Sequence, residues 1–334
     1  MHLLEAGDPA RPCVLLLHGF PELAYSWREV MPRLAAAGYY VVAPDQRGFG
    51  ATTGWDAAAL ESFAFANLVA DLVALLGQLS IKSVHLAGHD FGSPLAGAFA
   101  LLRPDLVRSV AFMSAPFGGA QPAVSRAGAD LHADLARLDP PRKHYQWYFS
   151  GPGANRDMMG CAQGLRAFLR AYFHMKSAGW AEDRPFALKA WTAEEMARLP
   201  RYYVMDLDRT MPETVRGADP GVSPRWLTDE DLSVYEAAFG RTSFEGGLNW
   251  YRCATGGLSA ASMQSVVGRA IEQPACFIAG EADWGTHQKP GELERMQNGA
   301  CRNFRALHLV PGAGHWVQQE QPEATARLLL DFLQ

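Results

Sequence analysis

The chain has no surplus of positive charge, no long apolar run and no paired cysteine spacing. Its 30 Lys and Arg are outnumbered by 35 Asp and Glu, a net charge of −5, so there is no basic footprint for a nucleic-acid backbone. Five cysteines (Cys13, Cys161, Cys253, Cys276, Cys301) are scattered with no CxxC pair. An odd, dispersed set argues against a disulfide framework and a thiolate zinc site, and fits a reducing compartment. Apolar runs such as Val14–Leu17 fall far short of the ~20 residues that cross a bilayer. Met1–Arg11 has neither a basic n-region nor an apolar h-region, so no secretory leader is expected. The expectation is a soluble cytoplasmic protein with no nucleic-acid or membrane partner. No phosphate-cradling glycine loop and no metal-ligand cluster stands out, so no cofactor and no metal is expected.

What is present is alternation. Short apolar runs at Cys13–Leu17, Tyr39–Ala43, Ser83–Ala87, Ser109–Met113, Ala275–Ala279 and Ala306–Val310 lack period-2 polarity, as strands buried on both faces do. Helical patterns lie between them, at Ser62–Leu79 and Pro322–Leu333. This is the signature of an α/β fold with a mostly parallel sheet flanked by helices. The alternation breaks between about Pro116 and Gln273, a stretch rich in Tyr, Trp, Met and Arg with helical patterns at Leu165–Met175 and Asp229–Phe239 and loop-like tracts at Gly151–Asn155 and Arg216–Pro224. It reads as a large, mainly helical insertion between two strands. The division expected is a core of residues 1–115 and 274–334 carrying an insertion of residues 116–273. So little chain precedes the Cys13–Leu17 run that the sheet is expected to be short of one edge strand.

The Ser83–Ala87 strand runs into Gly88-His89-Asp90-Phe91-Gly92 and then a helical pattern. Small residues two positions either side of Asp90 suit a strained strand-to-helix turn that pushes the central side chain out above the sheet. The helix N-terminus beyond favours a negative charge there. A carboxylate is ionised at neutral pH and needs no base to become a nucleophile. It can attack a saturated carbon and leave an ester that water cleaves, whereas a serine would leave a stable ether. Asp is also a common helix N-cap, and that plainer role stands against this one until the other parts are in place.

After the last strand, Pro311-Gly312-Ala313-Gly314-His315-Trp316 can carry His315 towards Asp90. Gly280-Glu281-Ala282-Asp283 follows the preceding strand and offers an acid to orient the imidazole, Asp283 first and Glu281 as its rival. The order nucleophile, acid, histidine is that of a strand–turn–helix hydrolase triad. His315 would activate the water and Asp283 would fix its tautomer. His85 and His308 fall inside strands and read as core residues. His18-Gly19-Phe20-Pro21 ends the first strand, and the backbone N–H groups of Phe20 and Phe91 are candidates for an oxyanion hole.

These motifs, with Asp45-Gln46-Arg47-Gly48-Phe49-Gly50, resemble the α/β-hydrolase-fold epoxide hydrolases, relatives of the haloalkane and haloacetate dehalogenases. The resemblance runs from His18 to about Gln319. It implies the α/β-hydrolase fold, a helical cap made by the insertion, a cis peptide before Pro21, and a structural loop at Asp45–Gly50. It also implies two cap tyrosines that hold the epoxide oxygen. Tyr145-Gln146-Trp147-Tyr148 and Asn249-Trp250-Tyr251 match those motifs, with Tyr145 and Tyr251 in place and His144 as an alternative first donor. Pro21, Gln146, Trp147 and Trp316 would line the substrate pocket. The partners implied are an apolar epoxide and water, with a homodimer left open.

Three features depart from the resemblance. The insertion is long and gives Met205–Met211 no role, the N-terminal edge is short, and Phe91 stands where many relatives have tryptophan. Rival activities are weighed on residues. A haloalkane dehalogenase needs N–H donors for the halide, and Phe91 has none; a haloacetate dehalogenase needs arginines beside Asp90, and Phe91-Gly92-Ser93-Pro94 offers none. Ester hydrolysis and a ligand-binding receptor are further alternatives, but a dead receptor would be expected to lack a triad member.

Overall fold

Five of the six apolar runs fold into the centre of the molecule because each has two faces to bury; the sixth, Ala306–Val310, lies at the sheet's edge and is only partly buried, with Leu309 45 % exposed. A computed structural model describes residues 1–122 and 130–334. Its strands are β1 (Leu3–Ala6), β2 (Cys13–Leu17), β3 (Tyr40–Pro44), β4 (Val84–His89), β5 (Val107–Met113), β6 (Arg142–His144), β7 (Val204–Asp206), β8 (Ile271–Gly280) and β9 (Cys301–Val310). Seven form one sheet in the order β1-β3-β2-β4-β5-β8-β9, parallel except where β1 pairs antiparallel with β3. The four residues Leu3–Ala6 thus supply an edge strand.

The helices that concern the site are α1 (Val30–Ala36), α2 (Phe65–Gln78), α3 (Gly92–Leu102), α4 (Tyr145–Ser150), α5 (Leu165–Met175), α6 (Asp229–Thr242), α7 (Glu245–Thr255), α8 (Val317–Glu320) and α9 (Pro322–Leu333). Successive side chains of a strand point to opposite faces. Val14 and Leu16 accordingly pack with residues of α1 and α9, while Leu15 and Leu17 pack with residues of α2 and α3. Covering both faces is what a parallel sheet requires.

The stretch between β5 and β8 holds the β6–β7 ribbon and helices α4 to α7. Here Met205–Met211 finds its place. Met205 lies in β7, which pairs with β6 directly before α4, and Thr210 caps the next short helix with a reciprocal Glu213 contact. The ribbon sets where α4, and so Tyr145, begins. Side chains tie the insertion to the sheet: Arg28 Nε is 2.8 Å from Asp231 on α6, and the Trp250 indole N–H of α7 donates to Arg47 O at 3.0 Å. Backbones meet at Gly48 and Gly246, where a Cβ on Gly246 would lie 2.3 Å from Gly48 O. The Asp45–Gly50 loop is structural, as expected: the Asp45 carboxylate accepts the N–H groups of Ala24 and Ala51, each at 2.9 Å. No helix among the described residues is long and apolar enough to cross a membrane.

Candidate active site

The turn after β4 is as tight as its glycines require. A Cβ on Gly88 would sit 2.1 Å from Gly92 O, and one on Gly92 would sit 2.2 Å from Leu17 O. Asp90 takes φ +51°, a left-handed conformation unusual outside glycine that stores strain at functional turns. Its carboxylate therefore stands above the sheet at the N-terminus of α3. Oδ1 accepts the Phe20 N–H at 3.0 Å, and Oδ2 lies 3.3 Å from His315 Nε2. Gly19 beside it has no room for a side chain, since a Cβ there would be 2.3 Å from Asp90 Cβ. Burial opposes the charge on Asp90, but His315, Lys176 and His89 outweigh it and hold its carboxyl well below the usual carboxylate range.

His315 and Asp283 arrive from the ends of β9 and β8. His315 Nδ1–H donates to Asp283 Oδ1 at 3.0 Å, and the same oxygen accepts the Gly285 N–H at 2.7 Å. Both side chains are almost wholly buried, at 1 % exposed. With Nδ1–H held by Asp283, Nε2 is the nitrogen turned towards Asp90: carrying a proton it pairs with the carboxylate, and without one it can act as a general base. Glu281 is exposed and takes no part. The loop that carries His315 is tied down on each side: Glu320 of α8 accepts the N–H groups of Gly314 and Trp316, each at 3.0 Å, and that of Ala178 at 2.8 Å. The His315 N–H donates to Lys176 O at 2.8 Å.

Two residues escaped the sequence reading, although both lie inside its motifs. Glu22 follows the cis Phe20–Pro21 bond, and His89 precedes Asp90. His89 Nδ1 is 2.6 Å from Glu22 Oε2 and its Nε2 is 2.7 Å from His315 O. A carboxylate and a carbonyl only accept, so both ring nitrogens carry protons and His89 is an imidazolium. Burial works against the charge on each partner, yet their attraction outweighs it: His89 is held above, and Glu22 below, its ordinary value. The Glu22 contribution to stability is present above pH 4.5 and lost as pH falls through its lower folded value. The His89 contribution is complete below pH 6.5 and fades as pH rises through its raised folded value. Glu22→Gln is therefore expected to destabilise most between those two values, by roughly 3–5 kcal/mol. A melting temperature equal to wild type across that window would remove the pair from the fold's support.

The structure brings Tyr145 and Tyr251 together, with ring centroids 5.9 Å apart. Tyr251 packs on Phe91 at 4.6 Å and on Phe20 at 5.3 Å, the two residues flanking Asp90 in space. The Tyr145 hydroxyl donates to Gln288 Oε1 at 3.0 Å and accepts from Gln146 Nε2 at 3.2 Å; Gln288 had no signal in the sequence. Burial, reinforced by Asp90, raises the Tyr145 phenol far above its ordinary range. His144 is spent on the backbone: its Nδ1 accepts the Gln146 N–H at 3.3 Å, and burial pushes it down to about 3. Pro21 is buried in its cis turn. Trp316 backs His315 at 4.6 Å and donates its indole N–H to Phe173 O at 2.8 Å. Trp147 is placed elsewhere than expected. It packs on His144 at 5.4 Å and lines an open recess with Lys143, Tyr148 and Asp157. Helical spacing turns Tyr145 and Phe149 inward and leaves Trp147 on another face. Among the described residues no group of three or more His, Cys, Asp or Glu could hold a metal ion.

Residues 12–322 match the family model described as alpha/beta hydrolase fold. Epoxide hydrolase A of Mycobacterium tuberculosis is 35% identical over 335 residues, covering 100% of this chain and 94% of that protein. Epoxide hydrolase B of the same organism is 34% identical over 338 residues, covering 98% and 92%. Among solved structures, an epoxide hydrolase from an endophytic Streptomyces superposes with a TM-score of 0.83 at 32% identity, covering 99% of this chain and 91% of that one.

Proposed function

We propose, from the premise that this chain belongs to the alpha/beta hydrolase fold family and is an epoxide hydrolase, that it works through a covalent ester on Asp90. The observation that carries this reading is the state of the Asp90 carboxylate. One oxygen is held by the Phe20 N–H and the other faces His315 Nε2, and the Tyr251 ring packs on the neighbouring Phe91.

Oδ2 attacks an epoxide carbon from the side opposite its oxygen. The C–O bond breaks, and the developing alkoxide takes a hydrogen bond and then a proton from Tyr145 or Tyr251. The product is an ester whose carbonyl oxygen is Oδ1, already on the Phe20 N–H. Water then gives a proton to His315 Nε2 and attacks the Asp90 carboxyl carbon. Asp283 supports the imidazolium, and the N–H groups of Phe20 and Phe91 hold the tetrahedral oxyanion. On collapse the C–Oδ2 bond breaks, the departing diol oxygen takes the proton from His315, and the remaining carboxyl proton returns to the tyrosinate, which restores the Asp90 carboxylate and releases a vicinal diol. Tyr145 is the better first donor, because His144 has its Nδ1 committed to a backbone N–H. Halide displacement is less well served, since Phe91 presents a ring where an indole N–H would hold a leaving halide.

The same reading makes residues 1–115 and 274–334 the catalytic core and 116–273 its cap, in a cytoplasmic enzyme. The substrate's body is apolar, to match the rings of Phe20, Phe91, Phe149 and Tyr251. The test is the tyrosine pair. Losing one such donor typically costs ~2.7–4 kcal/mol, or 10²–10³ in rate. Tyr145→Phe and Tyr251→Phe should each slow alkylation by about that factor in single-turnover stopped flow, and the double variant should nearly stop it. The two effects should not simply add, because both donors serve one oxygen. Ester hydrolysis should change less. A double variant that alkylates at the wild-type rate reduces both phenols to packing.

A further inference from the structure

Every buried carboxylate around Asp90 has its own partners. Asp90 has the Phe20 N–H and His315, and Asp283 has His315 and the Gly285 N–H. Glu22 has His89 and the Gly19 N–H, while Glu320 accepts three backbone N–H groups. Asp183 accepts the Tyr202 O–H at 2.9 Å, and burial pushes it up to about 8. One cation in the same region has no such partner. Lys176, at the C-terminal end of α5, is only 4 % exposed. Its Nζ lies 5.5 Å from the Tyr172 ring, 5.4 Å from Tyr203 and 5.2 Å from Trp316. Among the described residues it makes no hydrogen bond or ion pair within 4 Å.

A second orphan lies beside it. Tyr203 is 1 % exposed, and its hydroxyl has no hydrogen-bond partner among the described residues. Buried polar atoms are nearly always paired, so the unpartnered Tyr203 hydroxyl calls for an explanation, and so does an ammonium without a hydrogen bond beside it. The rings, and the more distant carboxylates of Asp90, Asp283 and Glu22, offset part of what an ammonium loses on leaving water but give it no hydrogen bond. Both groups border the reacting centre. The Tyr203 ring packs on Tyr145 at 5.1 Å, and the Trp316 ring packs on His315 at 4.6 Å. Lys176 thus lies between the ring next to the oxygen-holding phenol and the ring next to the base. What is missing there is a hydrogen-bond acceptor, and one with negative charge suits an ammonium and a phenol best.

We infer that Lys176 and Tyr203 receive a carboxylate of the substrate, so that the epoxide this enzyme prefers carries an acid group a few bonds from its ring on an otherwise apolar body. The inference rests on the epoxide-hydrolase reading of the same site. The acid would be fixed by the Lys176 ammonium and the Tyr203 O–H while the epoxide oxygen reaches Tyr145 and Tyr251 and a ring carbon faces Asp90. No new bond is made at this subsite. It sets which epoxides are taken and which way round they bind.

The experiment compares (4-oxiranylphenyl)acetate with its methyl ester and its primary amide, with styrene oxide as the neutral reference. Wild-type kcat/KM is expected to be at least tenfold higher for the acid than for the ester or amide. In Lys176→Met that ratio should fall to one or below, in Lys176→Arg part of it should survive, and Tyr203→Phe should lower it several-fold. A measurement on the wild type alone guards against variants that do not fold: 4-ethylphenylacetate should protect Asp90 from alkylation by styrene oxide at tenfold lower concentration than 4-ethylphenylacetamide. Equal protection by acid and amide, or an acid-to-ester ratio unchanged by Lys176→Met, overturns the inference and leaves a bridging water as the occupant. Styrene oxide turnover without acid preference overturns this inference alone. Failure to turn over any epoxide overturns the premise beneath it.

Discussion

Asp90→Asn is expected to fold and to lose turnover by a factor on the order of 10⁴–10⁶, the scale set by removing a catalytic nucleophile elsewhere. Asn is the informative replacement because Asp90 sits at φ +51°, a conformation Asn tolerates better than most residues. The amide oxygen can still accept the Phe20 N–H, so the turn is kept while the charged nucleophile is gone. Asp90→Ala should be equally inactive but pays the backbone strain without the hydrogen bond. The covalent route has its own signature. In a single turnover in heavy-oxygen water, the diol should carry unlabelled oxygen taken from Asp90, and the label should stay in the carboxylate until a second cycle releases it. Product fully labelled in the first turnover would refute the ester and leave Asp90 as a base or a bystander.

His315→Gln should separate the two half-reactions. A carboxylate needs no base to be ionised at neutral pH, and with His315 gone Lys176 and His89 still favour the charge on Asp90, so alkylation should go on at a substantial rate. Hydrolysis needs a proton taken from water, and losing a general base typically costs ~10²–10⁴ in rate. The ester should therefore accumulate. Intact-protein mass spectrometry after mixing with styrene oxide should show one substrate-sized adduct on nearly every molecule, decaying slowly. The adduct should be absent in Asp90→Asn/His315→Gln. Normal turnover by His315→Gln with no adduct would remove the imidazole from the mechanism and leave its 3.0 Å contact with Asp283 as a structural bond.

The sequence by itself determined the sheet and the meeting of Asp90, Asp283 and His315, the proposed triad, because both are written in short-range pattern. Two-faced apolar runs can be satisfied only as buried strands, and their observed limits differ from the expected ones by a few residues at the ends, as at β8 and β9. Glycines around Asp90, and the loops after β8 and β9, put three reactive groups at the same edge of one parallel sheet, so their order along the chain already implied their meeting. The cis bond at Phe20–Pro21 came with the resemblance. The tertiary structure alone decided what depends on approach between distant segments. His89 and Glu22 are 67 residues apart, and neither has a neighbour in sequence that marks it as half of an ion pair. Met205 is a strand residue only because β6 is there to pair with it. Trp147 shares a motif with Tyr145 yet faces away, since a one-and-a-half-turn helix presents adjacent residues to different neighbours. Lys176 looked like any helix-ending lysine, and only the packing of Tyr172, Tyr203 and Trp316 around its ammonium made it a buried charge. Periodicity fixes which face of an element is apolar; which polar groups are trapped without water is fixed by what the fold lays over them.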